Sequence, residues 1–473
     1  MSFPKLLDAA LAGTQRQEPP AAVDSLADAS RESRLLRGAS IEGLRRLAGQ
    51  RLVGSAVETG TPAPPEIFAV PPPAAVARLA ALIEHGDDLL VEWLELARAR
   101  GYRVPHLWLV DLLDIAREDR RVLSLLEALG GERAAWLGVQ NPAWAFAARI
   151  DPFEAFFEGT PEQRARALRL IRGSEPARAR AMLSESWQSE SADARTMLLA
   201  VLEEGLEAAD EPLLQRAISD PRKEVREVAL RLIRRLPESS FGQRWAERAQ
   251  RIVVVKKGFL GASVEVREPT DFDPTWGADG VEPRPPKGFG KAGWWLRQMM
   301  ALTPPSTWPE ASLKSMRDSD WSSVLMPGLA EAATTYRHAA WCEALLIVWT
   351  SAGRGRGQLG IDPQSMVSAL PTARTEAVLR RICDIDARAF ATLLHGVRPW
   401  SEAFGRFVLE RLPDVADQVS YGLGGLVETV ALCADPTLLP LAVALAQRQP
   451  DQHAYGQLVE TLEYRSILRR ELG

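Results

Sequence analysis

Apolar positions fall into a helical rhythm along most of the chain, and the rhythm is sharpest between residues 160 and 250. There RARALRLI (164–171), RTMLLAVL (195–202) and REVALRLI (226–233) begin 31 residues apart. An ideal helix advances about 100° per residue, so each leading arginine shares a side with the residues three, four and seven places on. Arg226 therefore sits with Ala229, Leu230 and Ile233, Arg195 with Leu198, Leu199 and Leu202, and Arg164 with Ala167, Leu168 and Ile171. Each arginine rises from an apolar face, where its stem can pack while its head must find a carboxylate or a carbonyl. This makes the three arginines struts between repeats. Thr160, Ser191 and Asp220 stand at the helix starts as N-caps, with Pro161 and Pro221 beside the first turn. A second ladder, Glu162, Asp193 and Glu224, lies two residues ahead of the arginines and complements the helix dipoles. Its members point about 200° away from their own arginines, so they could pair only with a neighbouring repeat. Partner helices are predicted near 176–188 and 211–219, which makes the unit a helical hairpin of about 31 residues.

Outside this segment the rhythm predicts helices near 3–12, 24–37 and 40–50, then a proline-rich connection over 59–75. Ile67, Phe68 and Val70 predict that the connection packs on a helical body. Helical spacing resumes over 76–150. It breaks at residue 252, where two β-prone runs, 252–257 and 263–267, flank GFLG and predict a hairpin. The following loop, TDFDPTWGADGVEPRPPKGFGKAG, is long for a compact domain and predicts either function or surface packing. Lys256, Lys257 and Phe259 of the hairpin and Trp276 of the loop are the candidate interaction residues. Helix returns with Trp294 and continues to the end, interrupted by a Gly/Arg loop at 353–360 and an Asp-Pro turn at Asp435. The predicted divisions are 1–75, 76–250, 251–292 and 293–473.

Composition narrows the classes. Charged residues make up 25% of the chain and hydrophobic ones 46%, enough to build a core. The net charge of −5 argues against wrapping nucleic acid along the whole length. Cys342, Cys383 and Cys433 are scattered and odd in number, which predicts buried thiols in a reducing compartment. The N-terminus is a poor signal peptide, and no apolar run reaches membrane-spanning length, so the expected location is the cytoplasm.

Candidate chemistry is sparse. His85, His106, His338, His395 and His453 never pair at metal-ligand spacing, and Asp271, Asp273 and Asp279 fail the calcium-loop pattern. AGRGRGQLG lacks the strand before it and the Gly-Lys-Ser/Thr that a phosphate loop needs. No serine sits in a nucleophile elbow. No catalytic residue, cofactor or metal is therefore predicted. Arg222, Lys223, Arg231, Arg234 and Arg235 form the best nucleic-acid candidate. The 160–250 segment carries 16 basic and 15 acidic residues, however, and gives little counterion-release drive unless the charges segregate by face. The 14 tryptophans, including Trp136, Trp144, Trp294, Trp295 and Trp308, are expected mainly in cores, with a partner groove as the alternative.

SDPRKEVREVALRLIRRL resembles the second helix of HEAT repeats, with its Asp-Pro turn followed by Val-Arg and a small residue. That resemblance implies that Asp220 and Arg226 belong to a ladder between stacked hairpins, incomplete where Thr160 and Ser191 replace the aspartate. LAGTQR, WLGVQNPAW, WWLRQMMALTPPSTW and EYRSILRREL together look like an uncharacterised family of bacterial helical proteins. Its members are encoded beside MoxR-type AAA+ ATPases, von Willebrand factor A domain proteins and SWIM zinc-finger proteins. The resemblance implies protein partners rather than a reaction. The expectation is an all-α, HEAT-like α-α superhelical repeat array with a small β-hairpin and loop insertion. Its expected role is that of a non-enzymatic scaffold or adaptor that binds no membrane; a nucleic-acid-binding repeat protein is the alternative.

Overall fold

The computed structural model describes residues 3–19, 30–49, 62–85, 88–258, 261–395, 399–419 and 423–473. The protein is 73% helical, and the one sheet among the described residues has two strands, so the fold is all-α. It divides into two compact units, Met1–Ala63 and Pro64–Gly473.

The first unit contains α1 (Phe3–Ala12) and α2 (Arg31–Gly49). One helix thus replaces the two expected near 24–37 and 40–50, and residues 24–29 lie outside the described residues. A lone glycine such as Gly38 costs a helix only about 1 kcal/mol. Thr14 donates to Glu32 at 2.7 Å and Arg34 pairs with Glu18 at 2.8 Å, tying the turn after α1 to α2.

The second unit begins with a strap, 64–72, that belongs to the body rather than to the first unit. Ala69 forms a parallel bridge with Tyr102, and Arg103 donates to the Phe68 carbonyl. The strap is held by its backbone and by Glu66. Ile67, Phe68 and Val70, expected to pack inward, stay largely exposed. Behind it come α3 (Pro73–His85), α4 (Asp88–Ala99), α5 (Leu109–Ala116), α6 (Arg120–Leu129) and α7 (Gly131–Gln140). They share a core around Leu79, Trp93, Leu113 and Leu126.

The second core is built from α8 (Pro152–Glu158), α9 (Pro161–Ser174), α10 (Pro176–Ser186) and α11 (Ala192–Ala200), followed by α12 (Glu211–Ile218), α13 (Lys223–Ile233) and α14 (Ser240–Ile252). Thr160 forms a complete capping box with Gln163, and Ser191 caps α11 through the Ala194 N–H; Asp220 does not cap α13, whose N-cap is Arg222, and accepts from the Arg222 N–H at 2.9 Å instead. Helix α11 packs between α9 and α13, and each is followed by its partner helix. Ala167, Leu168, Leu198, Leu199, Ala229 and Ile233 are buried as their angles require, while Leu230 is only half-buried.

The chain then forms β1 (Val253–Gly258) and β2 (Gly261–Val266), antiparallel with Val253 opposite Val266 and Val255 opposite Val264. These four valines face the third core, so the hairpin is docked rather than free. Short α15 (Pro274–Ala278) leads to α16 (Lys291–Leu302), α17 (Leu313–Arg317), α18 (Ser322–Thr335) and α19 (Ala339–Ser351). After these come α20 (Pro363–Ala369), α21 (Thr372–Ile385), α22 (Ala387–Leu394), α23 (Glu402–Gln418), α24 (Leu423–Cys433) and α25 (Leu439–Arg448). The last helix is α26 (His453–Leu472).

Helix α26 does not end the third core alone. Tyr455, Leu458 and Leu462 belong to the third core, whereas Leu468 and Leu472 belong to the first. Arg465 stands in the same stripe. It donates to Glu92 of α4 at 2.6 Å and to the Ala431 and Ala434 carbonyls at 2.7 and 2.6 Å. Arg78 of α3 grips Glu471 with two bonds of 2.6 and 2.7 Å. The first and last helices of the second unit are therefore neighbours. Among the described residues, no single helix is long and apolar enough to cross a membrane.

Candidate functional site

The repeated arginines lie along one side of the α9–α13 layer. Arg164 makes a bidentate pair with Glu190 and donates to the Phe156 carbonyl at 2.7 Å. Arg195 pairs with Asp220 at 2.9 Å and donates to the Glu190 carbonyl at 2.8 Å. Arg226 donates to the Asp220 and Pro221 carbonyls, each at 2.9 Å. Glu190 and Asp220 are buried. The acids that meet the arginines thus sit at the mouth of the next hairpin, one copy ahead. Asp220 is one of them, and Glu190 was missed because it precedes the cap of its helix and breaks the strict 31-residue register. Glu162, Asp193 and Glu224 are exposed instead, and Glu162 accepts from its own cap, Thr160. An acid pointing away from the seam meets water rather than the next repeat.

A deeper ion cluster lies beside this ladder. Asp210, 0% exposed, accepts from Arg172 at 2.6 and 3.2 Å, from Arg180 at 2.8 Å and from the Glu207 N–H at 3.0 Å. Arg172 also donates to the Glu204 and Gly205 carbonyls. Every acceptor here is occupied by the protein itself, so the cluster holds structure and offers nothing to a ligand.

The basic residues expected for nucleic acid do not form an open patch. Arg231 and Arg235 both pair with Glu203, at 2.6 and 3.0 Å. Arg234 pairs with Glu331 at 3.0 Å and donates to the Ala301 carbonyl, and Lys223 pairs with Glu227 at 3.2 Å. Arg222 is exposed at the head of α13. Glu203 and Glu331 come from other hairpins, which a single helix's angles cannot reveal. Burial, with Arg337 nearby, lowers the Arg235 pKa from its ordinary value.

At the hairpin, Lys256 pairs across the strands with Glu265. Phe259 and the Lys257 side chain lie outside the described residues. Trp276 is buried against Phe272 and Trp295, so it is a packing residue and not a contact for a partner. Asp279, next to it, is buried under Arg244 and Arg248 at 2.8 and 2.6 Å. All 14 tryptophans are buried or half-buried.

Beyond Gly280 the loop and α16 enclose a pocket of about 420 Å³. Its walls include Glu282, Phe289, Trp294, Arg297 and the Arg234–Glu331 pair. Two anchors fix the loop on α16. The Glu282 N–H donates to Gln298 at 2.8 Å, and the Trp295 indole donates to the Pro283 carbonyl at 2.9 Å. At Gly280, φ is +95° and a Cβ would stand 2.7 Å from Leu230, so glycine alone lets the loop settle this close to α13. Phe289, 40% exposed, meets Trp294 edge-on at 5.8 Å. The Trp294 indole N–H is shut off from water without an acceptor among the described residues, a state that costs about 1–3 kcal/mol. Trp294 stood out in the sequence; Phe289 and their assembly with Arg297 did not.

Several other titratable groups are taken up by contacts within the fold. Burial opposes ionisation of Glu66, but the Arg133 and Glu132 N–H groups and His106 outweigh it and hold its pKa below the usual carboxylate range. Burial raises the Cys342 thiol to about 12 and the Cys383 thiol to about 11, the opposite of what a nucleophile needs. Asp273 caps α15, and Arg356 of the Gly/Arg loop pairs with Asp386. Among the described residues no three His, Cys, Asp or Glu side chains converge to hold a metal ion. No curated protein and no solved structure matches the chain. The profile of the family of unknown function DUF5691 matches residues 5–472, and the chain belongs to that family.

Proposed function

We propose that this protein is a non-enzymatic helical scaffold that holds another protein. The observation that carries the reading is an exposed apolar edge on a rigid support. Ile67, Phe68 and Val70 lie on the strap, Leu107 lies in the turn just before α5 and Val110 in the first turn of α5; all five are exposed, Ile67 by 79% and Leu107 by 74%. The strap cannot turn them inward. The Ala69–Tyr102 bridge, the Arg103 bond to Phe68 and the His106–Glu66 contact at 3.1 Å fix its backbone beside the segment that leads to Leu107. Glu66 also caps α7 through the Glu132 and Arg133 N–H groups, each at 3.0 Å. Apolar side chains held in water by a fixed backbone fit a contact surface.

The three hairpins of α9–α14 fit a HEAT-like superhelical array within this reading, with Arg164, Arg195 and Arg226 as the struts of its ladder. The partners to test first are MoxR-type ATPases and von Willebrand factor A domain proteins, on the strength of the sequence resemblance. Mixing the purified chain with each and following elution by size-exclusion chromatography should yield a joint peak with at least one of them. Ile67→Asp together with Leu107→Asp should abolish it. Separate elution from both candidates would remove the proposal as stated. A nucleic-acid role has less support, because the five residues that suggested it are mostly neutralised by acids.

A further inference from the structure

The pocket over α16 lies in a stretch unlike the rest of the chain. Residues 283–309 contain four cations, Arg284, Lys287, Lys291 and Arg297, and no acid, in a protein whose net charge is −5. Among the described residues none of the four forms an ion pair, although arginines elsewhere pair freely with carboxylates. Arg297 is the informative one. Its guanidinium lies 5.9 Å from the Phe289 ring centroid, within cation–π reach, and it lines the pocket without an ion pair among the described residues. Trp294, with its orphan indole N–H, forms the adjoining wall. The loop is anchored through Glu282 and Pro283, so the pocket exists before any ligand arrives.

We propose that this pocket docks an acidic segment of a partner protein that carries an aromatic side chain. The segment's carboxylate meets Arg297, its ring packs on Phe289 and Trp294, and further acids meet Arg284, Lys287 and Lys291. The inference rests on the scaffold reading and gives the partner a chemistry. A cavity of about 420 Å³ suits one large side chain with its neighbouring backbone. Glu331 is held by Arg234, so Glu282 is the acid left to repel an anion on these walls; a segment whose carboxylates are spaced by aromatic side chains can set one against Arg297 and none against Glu282, which an evenly charged phosphate chain cannot. That favours peptide over nucleic acid.

The test is fluorescence anisotropy on the full chain with a labelled peptide of alternating aspartate and phenylalanine. The controls replace aspartate with lysine, or phenylalanine with alanine, and an oligothymidylate serves as competitor. The acidic aromatic peptide should bind, and both altered peptides should bind at least about tenfold more weakly. Arg297→Gln and Phe289→Ala should each weaken the parent peptide by about tenfold, with circular dichroism and thermal melting unchanged. The exposed pair Arg284→Gln and Lys287→Gln should weaken it less. Absent binding, or an affinity indifferent to Arg297→Gln, would overturn the proposal. Displacement by oligothymidylate with the same sensitivity to Arg297→Gln would reassign the pocket to nucleic acid. The outcome is separable from that of the scaffold reading: peptide binding can fail while a partner still co-elutes through the strap, and the reverse.

Discussion

Two sets of arginines do the same chemical work at very different chain distances. In the α9–α13 layer, Arg164 reaches Glu190 and Arg195 reaches Asp220, pairs formed between consecutive hairpins. At the other seam, Arg465 reaches Glu92 across 373 residues and Arg78 reaches Glu471 across 393. Both sets place a guanidinium in or beside an apolar stripe and surround it with carboxylates and carbonyls. The difference lies in what each joins. The local pairs fix one hairpin on the next, whereas the distant pairs fix the first core to the third. An open row of repeats relies on nearest neighbours alone; this unit adds a contact between its two ends.

If burial rather than chain distance sets the energetic weight of these pairs, the largest loss should come from Asp210→Ala. It leaves Arg172, whose side chain is 2% exposed, charged and short of its carboxylate. Chemical denaturation should show a loss of about 3–5 kcal/mol, and a loss below that of any ladder variant would break the burial argument. Arg465→Ala removes the bonds to Glu92, Ala431 and Ala434 together. About 2–3 kcal/mol is expected for it, with a single transition retained. Two separated transitions would show instead that the end-to-end seam supplies the cooperativity. Arg226→Ala gives up two carbonyl contacts at a half-buried site and should cost about 1 kcal/mol; unchanged thermal melting would count against the strut.

The smallest effect concerns acid. The Arg78 hydrogen bond holds Glu471 below the usual carboxylate range. Burial opposes the ionisation of Asp435, but the Arg469 and Thr437 bonds prevail and lower its pKa too. Carboxylates with depressed pKa values stabilise the fold above their ordinary range, about pH 4. They surrender that stability as the pH falls through their folded values. Glu471→Gln with Asp435→Asn should therefore flatten the acid limb of a plot of melting temperature against pH. An unaltered limb would place the acid sensitivity elsewhere.

How much of this was legible follows from where the partners lie. The arginine struts could be read because a helix's own period places Arg164, Arg195 and Arg226 on their apolar faces. Their acids were half-legible: Asp220 stands in an Asp-Pro turn, while Glu190 sits just before a cap, where side-chain direction follows no helical period. The far seam also left a trace. Leu458, Leu462, Arg465, Leu468 and Leu472 form one stripe with a charge inside it, the same signature as the octets. Nothing in that stripe names Glu92, because sequence records periodicity within an element and not which distant element answers it. The α16 pocket was hidden for the same reason, since it needs Arg234 from the end of α13 and Glu331 from α18.

The return of α26 to α3 and α4 also has a meaning in time. A ribosome adds about 5–20 residues per second. Glu92 must therefore wait about 20–75 s before Arg465, 373 residues later, is synthesised. During that interval the first core presents to the cell the surface that Leu468 and Leu472 will cover. A helix made long after α3 and α4 completes their core, so a nascent chain stalled before α26 carries an exposed seam that is covered once α26 is in place.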